Sequence, residues 1–257
     1  MDAVVAGTDF ATLPAYRAAE MRVLDGRLMA REGIDGYALM RRAGRAAFFR
    51  LRRLWPQARR IGVVCGPGNN GGDGYVIASL ARAWGMSVRV WGLAPVSELQ
   101  GDARRAAAHF VAEGGQVLPL EPAALQAAEV EVWVDALFGT GLVRSLTGTA
   151  QQAITVLNDH PAPVLAVDVP SGLSADTGAV LGAAMHAAAT VSFIAAKPGL
   201  YTGAGPDCCG EVTLDRLGAQ VDLGVDLPAA CALWPAMAPL GALLPHRTTF
   251  IYQSTFE

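Results

Sequence analysis

Lysine is almost missing from this chain. Of its 20 basic residues only Lys197 is a lysine, so arginine supplies the generic charge and the exception invites a chemical role. Cysteine is scarce as well: Cys65, Cys208, Cys209 and Cys231 show no C-x-x-C spacing and no histidine partner pattern. The adjacent Cys208-Cys209 reads as a pair of incidental small residues, and a reducing cytoplasm fits that usage. No apolar run approaches the roughly 20 residues a membrane helix needs, and Met1-Asp2-Ala3-Val4 lacks the basic start of a signal peptide. Neither membrane insertion nor secretion is expected. A net charge of −3 gives no electrostatic reason to expect a nucleic-acid partner. His109, His160, His186 and His246 form no spacing that suggests a catalytic pair.

What is abundant is apolar and small. With 257 residues, 52% of them hydrophobic and 17% charged, the chain can build a large core. The first sixty residues read as two helices, Ala15 to Glu32 and Tyr37 to Trp55, the second ended by Pro56. Strands then alternate with helices. Strands are expected at Arg60–Cys65, Ser87–Trp91, Gln116–Leu120, Val130–Leu137, Val164–Val169, Thr190–Ala195 and Glu211–Leu214. Helices are expected at Gly74–Trp84, Glu98–Glu113, Ala123–Ala128 and Thr149–Asp159. Several strands are near-continuous apolar runs, the pattern of a parallel sheet covered on both faces. One α/β domain is expected over residues 1–245. Residues 246–257 depart from the Ala/Gly/Leu style upstream and read as a tail or linker stump.

The segment Cys65-Gly66-Pro67-Gly68-Asn69-Asn70-Gly71-Gly72-Asp73-Gly74 joins the first of these strands to a helix. Glycines at such a junction let backbone N–H groups approach an anion closely, and four of them sit where a side chain would otherwise stand between loop and ligand. Gly66, Gly68 and Gly71 satisfy G-x-G-x-x-G. A nicotinamide dehydrogenase also needs an acid about 20 residues on, at the end of the second strand, to hold the ribose hydroxyls. Here Trp91 is followed by Gly92-Leu93-Ala94-Pro95, which weakens that reading. No G-K-[ST] closes the loop, so a P-loop fails too.

Three further segments end strands in the same way: Asp135-Ala136-Leu137-Phe138-Gly139-Thr140-Gly141-Leu142, Asp168-Val169-Pro170-Ser171-Gly172 and Lys197-Pro198-Gly199. In a parallel sheet these ends share one edge, which suggests a composite pocket. Asp73, Asp135 and Asp168 would then crowd a loop suited to phosphate, and a cation would offset them. Its donors would be the Asn70 amide, the Ser171 hydroxyl, backbone carbonyls and Asp135. That set suits a loosely held monovalent ion such as potassium better than Mg²⁺ or Zn²⁺. The bland alternatives stay open: Asp135 and Asp168 as turn caps, Ser171 as part of a Pro-Ser-Gly turn, and Lys197 as a surface residue before a Pro-Gly turn.

Together these motifs, with Ala19-Glu20-Met21-Arg22-Val23-Leu24-Asp25, resemble the NAD(P)H-hydrate epimerases, the YjeF N-terminal family, over roughly residues 13 to 240. The resemblance implies a Rossmann-like three-layer α/β/α sandwich with a mostly parallel central sheet. It implies interconversion of the R and S forms of NADHX and NADPHX, nicotinamide cofactors hydrated at C6. By similarity, Asn69, Asn70, Gly71, Gly72, Asp73, Gly139, Thr140, Gly141, Leu142, Val143, Arg144, Ser145 and Asp168 contact the substrate. Asn70, Asp135 and Ser171 hold K⁺, and a homodimer is implied. In bacteria the domain is commonly fused to a dehydratase. Leu243-Leu244-Pro245-His246-Arg247 looks like the approach to that second domain, and no dehydratase activity is expected of this chain. Asp168 is expected to act as acid/base, with Lys197 supporting charge or orientation. The alternative is a catalytically silent nucleotide-binding or protein-interaction scaffold on the same fold.

Overall fold

Every strand read from an apolar run pairs into one sheet. The computed structural model describes residues 13–220, 223, 226–233 and 251–252. After a short β1 (Leu13–Ala15), the sheet is built from β2 (Arg60–Cys65), β3 (Ser87–Gly92), β4 (Val117–Pro119), β5 (Val132–Ala136), β6 (Val164–Val167), β7 (Ala189–Phe193) and β8 (Glu211–Asp215). β9 (Cys231–Leu233) pairs antiparallel with β1, and β10 (Ile251–Tyr252) adds to the sheet beside β8. The order is β10-β8-β7-β6-β5-β2-β3-β4, and every neighbouring pair in it is parallel. Two residues of the stretch set apart as a tail therefore join the sheet, while 246–250 and 253–257 lie outside the described residues.

The chain winds outward from β2 through β3 to β4, crosses back to β5, and winds the other way through β6, β7 and β8. Loops leaving β2 and β5 consequently diverge, one to each face, and open a crevice at their carboxyl ends. Every residue of β5, β6 and β7 is buried, which is why these segments read as unbroken apolar runs. Alternation along β2 separates two cores: Ile61 and Val63 pack with the first four helices, Val64 with the later ones.

The helices are α1 (Ala18–Glu32), α2 (Gly36–Leu54), α3 (Asn69–Ala83), α4 (Gly101–Ala112), α5 (Pro122–Gln126), α6 (Gly148–Asp159) and α7 (Gly205–Cys208). Between the first two, Gly33 takes the left-handed conformation at φ 63° and returns its N–H to Met29 O. The Asp35 carboxylate then caps α2 by accepting from Ala38 N at 2.7 Å. One helix, expected over Glu98–Glu113, divides into a 3₁₀ turn at Val96–Glu98 and α4. Helix α3 starts earlier than its composition suggests, at Asn69 rather than Gly74. Among the described residues no helix is long and apolar enough to cross a membrane.

Candidate active site

The carboxyl ends of β2, β5, β6 and β7 open into a single cleft of ≈ 500 Å³, with α1 and α2 forming its far wall. At its floor Asp168 follows β6 directly. It holds φ 66°, and Val169 N bonds back to Val167 O at 2.9 Å. That is a γ-turn with positive φ, an uncommon and strained form. The next strand ends identically: Ile194 holds φ 64° and Ala195 N bonds Phe193 O at 2.7 Å. Strain of about 1–3 kcal/mol at each such residue persists only where the surroundings impose it. Asp168, Ile194 and Leu217 are the non-glycine residues at positive φ among those described, and all line the cleft.

Lys197 is 1% exposed, so the surface alternative for it is set aside. Its ammonium donates to Asp168 Oδ1 at 2.6 Å, Ser192 Oγ at 2.9 Å and Phe193 O at 2.8 Å. Those bonds use all three of its protons. The other carboxylate oxygen of Asp168 accepts from Thr140 N at 3.2 Å and from Thr140 Oγ1. Burial alone would push Asp168 up. The Lys197 charge and the hydrogen bonds from Lys197 and Thr140 outweigh it, holding the carboxyl below the usual range. The pair is thus an ionised, fully hydrogen-bonded unit fixed between adjacent strands.

Asp135 and Ser171 meet beneath the cleft rather than in it. Asp135, fully buried, accepts from Ser171 N at 2.8 Å and from Ser171 Oγ at 2.6 Å. Ser171 Oγ in turn accepts from Phe138 N at 2.8 Å, tying the loop after β5 to the turn after β6. Burial pushes the Asp135 carboxyl up to about 6, against the lowering hydrogen bonds from Ser171 and Leu137 N. Turn capping and clamping are therefore real roles of this pair. Asn70 stands at the start of α3 and lines the cleft. Both of its amide atoms are buried without a hydrogen-bond partner, and a Cβ built on Gly139 would stand 3.1 Å from Asn70 Oδ1 and 3.0 Å from Asp168 Oδ2.

The glycine segment works differently from expectation. Asn69 to Gly74 form the opening turns of α3, and most of their glycines face protein, not ligand. A Cβ on Gly71 would sit 1.9 Å from Gly66 O, and one on Gly74 would sit 2.6 Å from Ala136 Cβ. These glycines let the helix press onto the sheet. Gly68, Asn69, Asn70 and Asp73 line the cleft, whereas Gly71 and Gly72 do not. In the loop after β5, Gly139, Thr140, Gly141, Leu142, Val143 and Arg144 line it, and Ser145 does not. Asp73 is 8% exposed and pushed well above the carboxylate range by burial, with Asp168 and Asp25 adding to the rise and Lys197 opposing it.

Asp25 of α1 completes the acidic wall. Its carboxyl is pushed up to about 6 by burial, lowered by Lys197 and raised by Asp168. Sequence reasoning met Asp25 only as part of a family-like helix. The available signal was an acid one residue beyond Leu24 in a helix whose Met21, Leu24 and Leu28 are buried. The Ser192 hydroxyl and Phe193 carbonyl that hold Lys197 carried no signal of their own.

A doubly wound α/β protein with a charged cleft at its switch point is thereby defined, of a kind without the ribose-binding acid of the nicotinamide dehydrogenases. The family model described as YjeF-related protein N-terminus matches residues 36–199, and the chain belongs to that family. It is 45% identical over 244 residues to the bifunctional NAD(P)H-hydrate repair enzyme Nnr of Coxiella burnetii, covering 94% of this chain and 49% of that protein. The chain thus spans about half the length of that relative. It is 37% identical over 208 residues to the NAD(P)H-hydrate epimerase of Limosilactobacillus fermentum, covering 80% of this chain and 99% of that one. The crystal structure of yeast ynu0, YNL200c, superposes with a TM-score of 0.65 at 24% identity, over 73% of this chain and 83% of that chain. That likeness concerns the fold.

Proposed function

We propose that this chain is an NAD(P)H-hydrate epimerase, an isomerase that interconverts the R and S forms of NADHX and NADPHX. The observation that carries the reading is the closed Asp168–Lys197 pair on the floor of a cleft at the topological switch point. The Limosilactobacillus protein of that name, matched along nearly its whole length, supports it. The opening of α3 offers unpaired N–H groups and the positive end of the helix dipole to the substrate's diphosphate. Inverting C6 needs the carbon–oxygen bond to break or the ring to open, followed by re-formation on the other face. Either route requires a group that accepts a proton and one that gives it. Asp168, held ionised by Lys197 and Thr140, suits the accepting role.

A potassium ion belongs to the same proposal. An orphaned buried amide oxygen on Asn70 and a desolvated Asp135 carboxyl linked to Ser171 fit such an ion. Asn70, Asp135 and Ser171 would hold it, and its charge would offset that of the buried carboxylate. A homodimer and residence in the cytoplasm complete the reading. Dehydratase activity is not proposed for this chain.

Chiral chromatography of a resolved NADHX epimer, with potassium present, tests the activity directly. The protein should bring the epimers to equilibrium far faster than buffer does; unchanged decay of the single epimer would overturn the proposal. Soaking crystals with thallium(I) tests the ion. Anomalous density beside Asn70 is expected, and its absence would remove potassium from the account.

A further inference from the structure

The Asp168–Lys197 pair presents the cleft with a proton acceptor and no uncommitted donor. Lys197 directs its three N–H bonds at Asp168, Ser192 and Phe193 O, away from a ligand in the cleft, and Asp168 is held as the carboxylate. A free donor is to be sought elsewhere in the cleft. Two acids face it without a side-chain hydrogen bond or ion pair among the described residues: Asp73 on α3 and Asp25 on α1. Asp73 is nearly covered, and burial pushes its carboxyl well above the carboxylate range. Asp25 is only half-buried and lines the cleft from a separate element, α1.

Building on the epimerase reading, we propose that Asp25 is the proton-donating group of the cleft, acting opposite Asp168. In the ring-opening route the Asp168 carboxylate takes the C6 hydroxyl proton and that O–H electron pair forms C6=O. The C6–N1 pair goes to N1, which takes the proton of Asp25. Rotation about C5–C6 then turns the other face of the carbonyl toward N1. As N1 attacks C6, its proton returns to Asp25 and the oxygen recovers the proton held on Asp168. Nothing is consumed, as an isomerisation requires.

Charge around Asp25 supports this role. The groups facing it are Lys197 beyond β7, Asp168 beyond β6 and Asp73 on α3, while Arg22 lines the cleft from its own helix. Burial, opposed by Lys197 and assisted by Asp168, leaves the free protein's Asp25 titrating at about 6. An anionic dinucleotide raises it further, toward the pH at which a donor and acceptor work best.

The test compares wild type, Asp25→Asn and Asp25→Glu for kcat and KM against pH, after subtraction of uncatalysed epimerisation. Wild-type kcat should fall tenfold per pH unit above the donor's pKa. Asp25→Asn should lose about 10²- to 10⁴-fold in kcat at pH 6 and lack that alkaline limb. Asp25→Glu should regain the limb and much of the rate. An Asp25→Asn variant with the wild-type limb and kcat, or one changed in KM alone, would overturn the assignment. A wild type that leaves the epimers untouched would sink the epimerase reading and this assignment together. An active wild type with an unchanged variant profile sinks Asp25 alone.

Discussion

Replacing Lys197 by methionine keeps the apolar stem and deletes the charge that faces Asp168. In the native protein Asp168 is buried with its side chain 16% exposed, and Lys197 is its cationic partner at 2.6 Å. Removing one member of such a pair costs about 3–5 kcal/mol, because the other charge is left buried and uncompensated. For a chain of this size about 2–4 °C of Tm accompanies each kcal/mol, so a loss of roughly 6–20 °C is expected at pH 7.5. The pH dependence separates charge from packing. Native Asp168 has a depressed pKa, so it contributes stability above the unfolded value near 4, lost only as pH falls through the lower folded pKa. Without Lys197, burial dominates and the folded pKa lies above the unfolded one. The variant's deficit should therefore already include the lost native gain at pH 4.5, grow by up to about 1.4 kcal/mol per pH unit above it, and level off once pH passes the variant's folded pKa. Thermal melts of both proteins from pH 4.5 to 7.5 read this out. A deficit equal at the two ends would mean that only packing was lost, and the electrostatic account of the pair would be wrong.

Gly71→Ala should destabilise the protein by about 1–3 kcal/mol despite alanine's helix preference of about 1 kcal/mol, since the new Cβ would sit 1.9 Å from Gly66 O; a raised Tm would contradict the packing role given to that glycine. Ser171→Ala removes a donor to Asp135 and the acceptor of Phe138 N, costing about 1–3 kcal/mol in chemical denaturation. Asp135 already titrates at about 6, above its unfolded value of 3.8, so its ionisation erodes stability as pH rises through that window. Loss of the serine should extend that erosion to higher pH, and a pH-independent deficit would count against the clamp. Potassium bound at Asp135 should stabilise increasingly as pH rises through 6, and melts in potassium and sodium that coincide at pH 7.5 would argue against the site.

The strands were legible because this sheet buries both faces, so Val132–Ala136, Val164–Val167 and Ala189–Phe193 stand out as apolar runs ended by small residues. The start of α3 was not. Asn-Asn-Gly-Gly has poor helix propensity, and the segment is helical because glycines allow it to dock onto Gly66 and Ala136. The short pairings at Leu13–Ala15, Cys231–Leu233 and Ile251–Tyr252 were also unreadable, since two or three residues carry no period.

Sequence by itself determined an α/β chain, its strand ends, and the motifs Asp135, Asp168, Ser171 and Lys197, because local pattern and turn chemistry are written residue by residue. Tertiary structure decided which of them touch. Lateral order in the sheet sets β5 against β6 and β6 against β7, which joins Asp135 to Ser171 and Asp168 to Lys197. It also brought Asp25, far away in the chain, to the same cleft, a placement fixed by how α1 packs over the strand ends and by no local rule.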